Sequence, residues 1–116
     1  TARDWARFGQ LYLQRGRWEG QQVLSEAWVH FGTSPTLQSP EGIYGAHWWL
    51  KLKPELGGGG ASAARIPDDA FFAIGHEGQF LTVIPSLRLV VVRLGLSIHI
   101  DAWNHADFVA DLRDVV

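Results

Sequence analysis

One short stretch of the chain concentrates side chains that could move protons. Residues 75–79 place the imidazole of His76 and the carboxylate of Glu77 between Gly75 and Gly78, directly before Gln79. Imidazoles and carboxylates are common general acids and bases in enzymes. From the residues alone, however, such a histidine is more often a hydrogen-bonded residue at the end of a strand. The stretch is therefore a candidate site, and the structural alternative stays open.

The chain lacks the residue types that several other kinds of site require. It has no cysteine, which excludes disulfides, zinc–thiolate sites and cysteine nucleophiles. His99 and His105 lie near Asp101, but one carboxylate and two histidines before a helix more often form a cap and surface polar groups than a metal site. The run Gly57–Gly60 lacks a following Lys-Ser or Lys-Thr, so it is predicted to be a mobile surface loop and not a phosphate loop. No metal ligand and no cofactor is predicted.

Composition places the chain among ordinary globular proteins. Of its 116 residues, 47% are hydrophobic and 19% charged, which suits a single core and is too short for two domains. Ten basic residues are scattered among twelve acidic ones, without the basic stripe that nucleic-acid binding requires. The apolar stretches are shorter than the roughly 18 residues of a membrane span. Because the chain has no methionine, Thr1 is not an unprocessed start, and we expect a processed or truncated chain.

Hydrophobic periodicity predicts an α+β fold, an antiparallel sheet with a helix before it and a helix after it. The connections between the last three strands are too short for a crossover helix, so these strands must be antiparallel neighbours. Helices that pack on the sheet complete the layers. The predicted elements are a helix over 1–15 capped by Thr1 and Asp4, a short helix capped by Ser25, strands over 48–53, 70–76, 79–84 and 89–94, and a helix over 101–115 capped by Asp101.

The six tryptophans could form a sugar-binding platform, but most of them fall at positions typical of a core. Trp49 is predicted instead to line a cleft beside the strand that leads to His76. Tyr44 could line the same cleft or pack in the core, and both alternatives stay open. The tryptophans predicted to be core residues are Trp5, Trp28, Trp48 and Trp103.

Five segments resemble, in order, parts of the serine hydrolases related to class C β-lactamases and penicillin-binding proteins. Residues 2–18 are similar to a helix and turn of that family, and residues 24–29 to the segment that follows. Residues 44–49 resemble its Tyr-Gly-x-x-Trp strand, and residues 75–79 its third active-site motif, K-T-G or H-x-G. Residues 83–95 resemble the hairpin after that motif. Esterase-like and amide-hydrolysing members, which often carry histidine in the third motif, are the most similar.

The resemblance implies a hydrolase that forms an acyl-serine intermediate on an ester, amide or β-lactam, in a β-lactamase/transpeptidase-like α/β/α fold. The family uses an S-x-x-K nucleophile motif and a Y-x-N proton-transfer motif. No serine of this chain has lysine three residues later, and neither Tyr12 nor Tyr44 begins a Y-x-N. We therefore expect residues 1–116 to be the C-terminal part of one hydrolase domain, inactive without its N-terminal part.

The resemblance also implies roles for the candidate residues. His76 takes the lysine or histidine position of the third motif, and Gly78 leaves room for substrate along the strand edge. The backbone N–H of Gln79 becomes an oxyanion-hole donor, a group whose removal costs about 2.7–4 kcal/mol of barrier. Glu77 is a weaker candidate for substrate contact, since alternation along a strand would point it away from His76.

Beyond a small acyl substrate and the missing part of the domain, no partner is predicted. Location stays open, although the family is often periplasmic or secreted. Two alternatives to a hydrolase remain. One is an aromatic-rich module that binds sugar or peptide through Trp48, Trp49 and Tyr44, and the other is a non-catalytic relative that keeps the scaffold for interaction.

Overall fold

A computed structural model describes residues 1–99 and 102–116 and confirms the α+β class. Three strands between residues 71 and 93 form an antiparallel sheet in sequence order, and two short strands between residues 17 and 22 form a separate small hairpin. The helices are α1 (Ala2–Leu13), α2 (Glu26–Gly32) and α3 (His105–Arg113). The strands are β1 (Arg17–Trp18), β2 (Gln21–Gln22), β3 (Phe71–Gly75), β4 (Gln79–Ile84) and β5 (Leu89–Arg93).

Helix α1 begins with the predicted capping box. The Thr1 hydroxyl accepts from the Asp4 backbone N–H, and the Asp4 carboxylate accepts in return from Thr1, which satisfies donors that the first turn would leave unpaired. The prediction that Trp5 is a core residue is wrong, because this side chain keeps 49% of its surface exposed, and the neighbouring Phe8 keeps 41%. The buried residue of the helix is Gly9.

The sheet carries one apolar cluster on each face, because successive side chains along a strand point in opposite directions. On the α1 face, Trp48 is buried as predicted. On the α3 face, Val109 of that helix packs into the sheet. The buried members of the first cluster are Trp48, Phe71, Leu81 and Val83, and those of the second are Ala70, Phe72, Ile84 and Val109.

The predicted strand over 48–53 does not form as a regular strand. Trp49 alone bridges β3, where it exchanges backbone hydrogen bonds of 2.8 and 2.7 Å with Phe72. Leu50 turns back to donate its N–H to the Ile43 carbonyl, so the alternating pattern belongs to an irregular segment along the edge of β3. Residues 17–22, after α1, form the short β1–β2 hairpin, which was not predicted.

The expectations for the start of the last helix and for two of the tryptophans need correction. The predicted cap, Asp101, lies outside the described residues, and α3 begins only at His105, with the Asn104 side chain accepting from the Asp107 N–H. Trp103 therefore precedes the helix and does not belong to its apolar stripe. Trp28 is also not a core residue, since 51% of its surface is exposed.

Within the described part of the chain, no helix is both long and apolar enough to cross a membrane.

Replacing Gly9 by valine is expected to destabilise the fold. A Cβ at Gly9 would lie 2.7 Å from Val90 Cγ1 and 2.8 Å from Leu81 Cδ1, so the larger side chain would overpack the contact between α1 and the sheet. Overpacking of this kind costs about 1–3 kcal/mol in the free energy of unfolding. Gln10→Val places the same β-branched residue at an exposed position and serves as the control in urea denaturation. Equal losses in the two variants would contradict the close contact.

Candidate active site

His76, Glu77 and Gly78 form the turn between β3 and β4. The register pairs Gly75 with Gln79, so three residues connect the strands. Glu77 and Gly78 have φ values of 55° and 77°, the left-handed region that three-residue hairpin loops use before the second strand. The predicted strand over 70–76 therefore ends one residue early, and His76 belongs to the turn.

The turn brings the side chains of His76 and Glu77 together. The His76 Nε2 and Glu77 Oε1 atoms lie 3.4 Å apart, and the imidazole is 87% exposed. The expectation that Glu77 points away from His76 is wrong, because alternation of side chains holds only for extended backbone. In the left-handed conformation of Glu77 the two side chains lie next to each other, with the imidazole exposed and the carboxylate partly buried.

A cleft of about 400 Å³ opens beside this turn. We call it the turn cleft. His76, Glu77 and Gly78 form one side of it, and the glycine-rich segment and the chain after β5 form the others. Its other lining residues are Glu55, Leu56, Gly57, Ile74, Gly75, Phe80, Ser97, Ile98, His99 and Trp103.

The other predicted site residues do not line this cleft in the described structure. The carboxamide of Gln79 donates to the His76 carbonyl at 3.2 Å, and Gln79 itself lines a smaller apolar groove beside Trp5. Trp49 is bonded to Phe72, near the opposite end of β3. Tyr44 packs edge-on against Trp49 with ring centroids 4.8 Å apart, which corresponds to the packing alternative. The structure therefore unites three of the six predicted residues.

Arg93 of β5 lies behind the turn, and sequence analysis did not identify it. Its Nη1 donates to the Gly78 carbonyl, and its Nη2 donates to Ser97 Oγ at 2.7 Å. The Ser97 N–H in turn donates to the Glu77 carbonyl at 2.9 Å. In the sequence, the feature that could have identified Arg93 is its position as the one charged residue at the end of the apolar strand β5, since a charged side chain in such a place commonly has a specific partner.

His105, expected to be a surface polar group, is fully buried under the cleft. The Trp103 indole N–H donates to its Nδ1 at 3.2 Å, and its Nε2 lies 2.7 Å from Thr82 Oγ1. Since an indole nitrogen can only donate, Nδ1 is the acceptor, and Nε2–H of the neutral ring donates to Thr82. Both nitrogens are engaged, which leaves neither free for a metal.

The environment of His105 favours its neutral form. The ring stacks on Phe80 with centroids 3.8 Å apart and an interplanar angle of 6°. Burial, and to a smaller extent the positive charge of Arg93, lowers the pKa of His105 to about 4. Protonation would also place a hydrogen on Nδ1, directly against the indole N–H of Trp103.

The glycine-rich segment packs as a wall of the cleft. The Gly57 carbonyl accepts from the Ala106 N–H at 2.9 Å, and the Gly59 carbonyl accepts from the Asn104 side chain at 3.0 Å. The prediction of a surface loop is wrong for Gly58, which is buried and whose Cβ would lie 2.5 Å from the Leu52 carbonyl oxygen. Gly58 allows close approach of the backbone to Leu52, a role that composition does not distinguish from flexibility.

Comparison with known proteins supports the fold. No protein-family model and no curated protein matches the chain. A solved structure of a protein named "Putative 6-aminohexanoate-dimer hydrolase from Bacillus anthracis" matches 97% of the chain with a TM-score of 0.59 and 24% identity. The chain spans 26% of that protein's length. The described architecture is thus that of part of a β-lactamase-like fold.

Replacing Gly78 by alanine is expected to destabilise the turn. The left-handed backbone costs an L-residue about 1–2 kcal/mol, and a Cβ there would also lie 2.9 Å from Arg93 Nη1. Gly75→Ala is the matched control in the same hairpin, since its nearest contact would be Gln79 Cβ at 3.3 Å and its φ is not positive. Thermal denaturation in which both variants lose equal stability would contradict this account.

The buried His105 should make the protein less stable in acid. Its pKa is about 4 in the folded state and about 6.5 when unfolded, so the unfolded state binds more protons between these values. The free energy of unfolding should fall as pH drops from about 6.5 to about 4, by about 3 kcal/mol in total.

His105→Gln retains a hydrogen-bonding side chain that does not titrate, and it should remove that part of the pH dependence. His30→Gln, at an exposed position on α2, should leave it unchanged. Urea denaturation at a series of pH values gives the comparison. If the free energy of unfolding changed equally with pH in wild type and in His105→Gln, the pH dependence would not come from His105.

Proposed function

We propose that the chain is one wall of the active site of a β-lactamase-related serine hydrolase, which cleaves an ester, amide or β-lactam through an acyl-serine. The observation that carries the proposal is the His76–Gly78 turn. It presents an exposed imidazole at the end of an antiparallel hairpin, beside a cleft. The chain around it has the fold of part of a protein that is named as a hydrolase. The short sequence similarity to the third motif of this class supports it from the chain itself.

In the proposed reaction, His76 hydrogen-bonds near the attacking serine and the substrate carbonyl. Its exposed ring can reach a substrate that lies along the edge of β3. Glu77, whose Oε1 lies 3.4 Å from the His76 Nε2, can orient the imidazole. The backbone N–H of Gln79 is proposed as one oxyanion-hole donor.

The nucleophile and the proton-transfer tyrosine belong, in this proposal, to a preceding part of the same domain. The chain spans about a quarter of the hydrolase that it matches, and none of its serines begins an S-x-x-K. The exposed aromatic side chains of α1 and α2 would be partly covered by that part of the domain. Chemistry therefore requires both parts, and residues 1–116 alone should be inactive.

An aromatic binding module is less well supported by the structure. Trp48 is 2% exposed and packs between Phe71 and Tyr12, so its ring is not available as a platform. Trp49 and Tyr44 pack against each other. No row of open aromatic faces remains at these three positions, which were the ones that suggested sugar or peptide binding.

The test compares the 116-residue chain with the product of the full gene from which it derives. A fluorophosphonate probe, which labels activated serines, should label the full product and leave the chain unlabelled. In the full product, His76→Ala should lower kcat/KM for p-nitrophenyl butyrate about 100-fold or more, the usual loss of a general acid–base group. His47→Ala, at an exposed position outside α1, α2 and the turn cleft, is the matched control.

Two outcomes would overturn the proposal in different ways. Hydrolysis by the chain alone, lost on His76→Ala, would show that the chain does not need a second part. A full product that is neither labelled by the probe nor active on the ester would refute the hydrolase and favour a non-catalytic relative that keeps the scaffold.

A further inference from the structure

The His76–Gly78 turn is held from behind by a residue of a strand that is not its neighbour in sequence. Arg93 pairs with Phe80 across β4 and β5, and its guanidinium extends to the turn. There Nη1 donates to the Gly78 carbonyl. A Cβ built on Gly78 would lie 2.9 Å from this nitrogen, so the guanidinium is in direct contact with the turn backbone.

The guanidinium itself is fixed by two further contacts. Its Nη2 donates to Ser97 Oγ at 2.7 Å, and its Cζ lies 4.2 Å from the centroid of the Trp103 ring. Ser97 also donates its N–H to the Glu77 carbonyl at 2.9 Å. Both carbonyls of the left-handed pair, Glu77 and Gly78, are therefore bonded to β5 or to the segment that follows it.

We propose that Arg93 is the positioning residue of the candidate site. It holds the turn in the conformation in which the His76 imidazole and the Glu77 carboxylate meet beside the turn cleft. A non-glycine residue at positive φ is strained and persists only where its surroundings determine it. Arg93 and Ser97 are those surroundings for Glu77. The catalytic consequence rests on the proposed function, whereas the effect on the turn does not.

Lysine cannot replace arginine in this role. The planar guanidinium donates in two fixed directions, toward the Gly78 carbonyl and the Ser97 hydroxyl, while its Cζ lies over the Trp103 ring. A lysine ammonium is a point charge that does not reproduce this fixed pair of donors over an aromatic ring. The contact with Trp103 also connects the turn to His105, which Trp103 hydrogen-bonds. The next residue, Ala106, donates to the Gly57 carbonyl, so the turn is connected through α3 to the glycine-rich wall of the cleft.

The first test measures amide hydrogen exchange by NMR in the 116-residue chain. In Arg93→Lys the Ser97 amide, which bonds to the turn, should exchange about tenfold faster or more, as expected when a hydrogen bond to a charged group is lost. The amides of Trp49 and Phe72, bonded to each other far from the turn, should be unchanged. Arg88→Lys, the same substitution at an exposed turn position beyond β4, should leave the exchange rates of all three amides unchanged.

Ser97→Ala provides a second variant in case Arg93→Lys does not fold. It removes one acceptor of the guanidinium and leaves the apolar strands intact, and residue 97 should again exchange faster than in wild type while Trp49 does not. Unchanged exchange at residue 97, or equal acceleration at all three amides, would overturn the proposal. The second pattern would mean that Arg93 contributes only to overall stability.

The second test uses the full gene product. Arg93→Lys should lower kcat for p-nitrophenyl butyrate about tenfold with little change in KM, since misplacing catalytic groups affects the transition state more than ground-state binding. Arg88→Lys should leave both constants unchanged. Normal kcat in a variant with faster exchange at Ser97 would refute the positioning role, while an inactive wild type would refute the proposed function alone.

Discussion

The register of the β3–β4 hairpin is the constraint on which the remaining structure depends. Pairing Gly75 with Gln79 places Phe71, Leu81 and Val83 on the face toward α1. The alternate residues, such as Phe72 and Ile84, then face α3. A shift by one residue would exchange the two faces and destroy both apolar clusters. The same register leaves three residues for the turn, and three-residue hairpin loops use left-handed backbone before the second strand.

A line of polar and aromatic contacts connects this hairpin to the rest of the α3 side. Arg93 binds the turn and lies over the Trp103 ring, Trp103 donates to His105, and His105 donates to Thr82 in the middle of β4. Both ring nitrogens of His105 have a hydrogen-bond partner, so burial of the imidazole leaves neither of them unpaired. The candidate site thus shares its support with the core, and its geometry is as stable as the packing of α3.

The surface differs from that of an average small domain in its large exposed aromatic residues. Trp5 and Phe8 project from α1, and Trp28 and Phe31 from α2, with between two fifths and three fifths of each side chain exposed. Neighbouring apolar groups of this size are typical of surfaces that contact another part of a protein. In the proposed hydrolase they would face the part of the domain that carries the nucleophile.

Local patterns were sufficient to predict much of this protein. The capping box of Thr1 and Asp4, the cap at Ser25, the bounds of β4 and the antiparallel order of three strands follow from side chains within a few residues of one another. The composition of residues 75–79 was enough to indicate a candidate site. Such features depend on backbone donors, side-chain alternation and connection length, all of which act over short distances along the chain.

Tertiary structure alone decided which residues share that site. The contact of Arg93 with Gly78 spans 15 residues and that of His105 with Thr82 spans 23, and no periodicity links such distant positions. It also decided that Gly58 is buried and that Trp5 is exposed, because burial depends on what packs against a residue. The sequence by itself determined the first two helices, the three antiparallel strands of the sheet and the order of these elements. The meeting of the turn, Arg93 and the glycine-rich wall arose only when the sheet and α3 packed together.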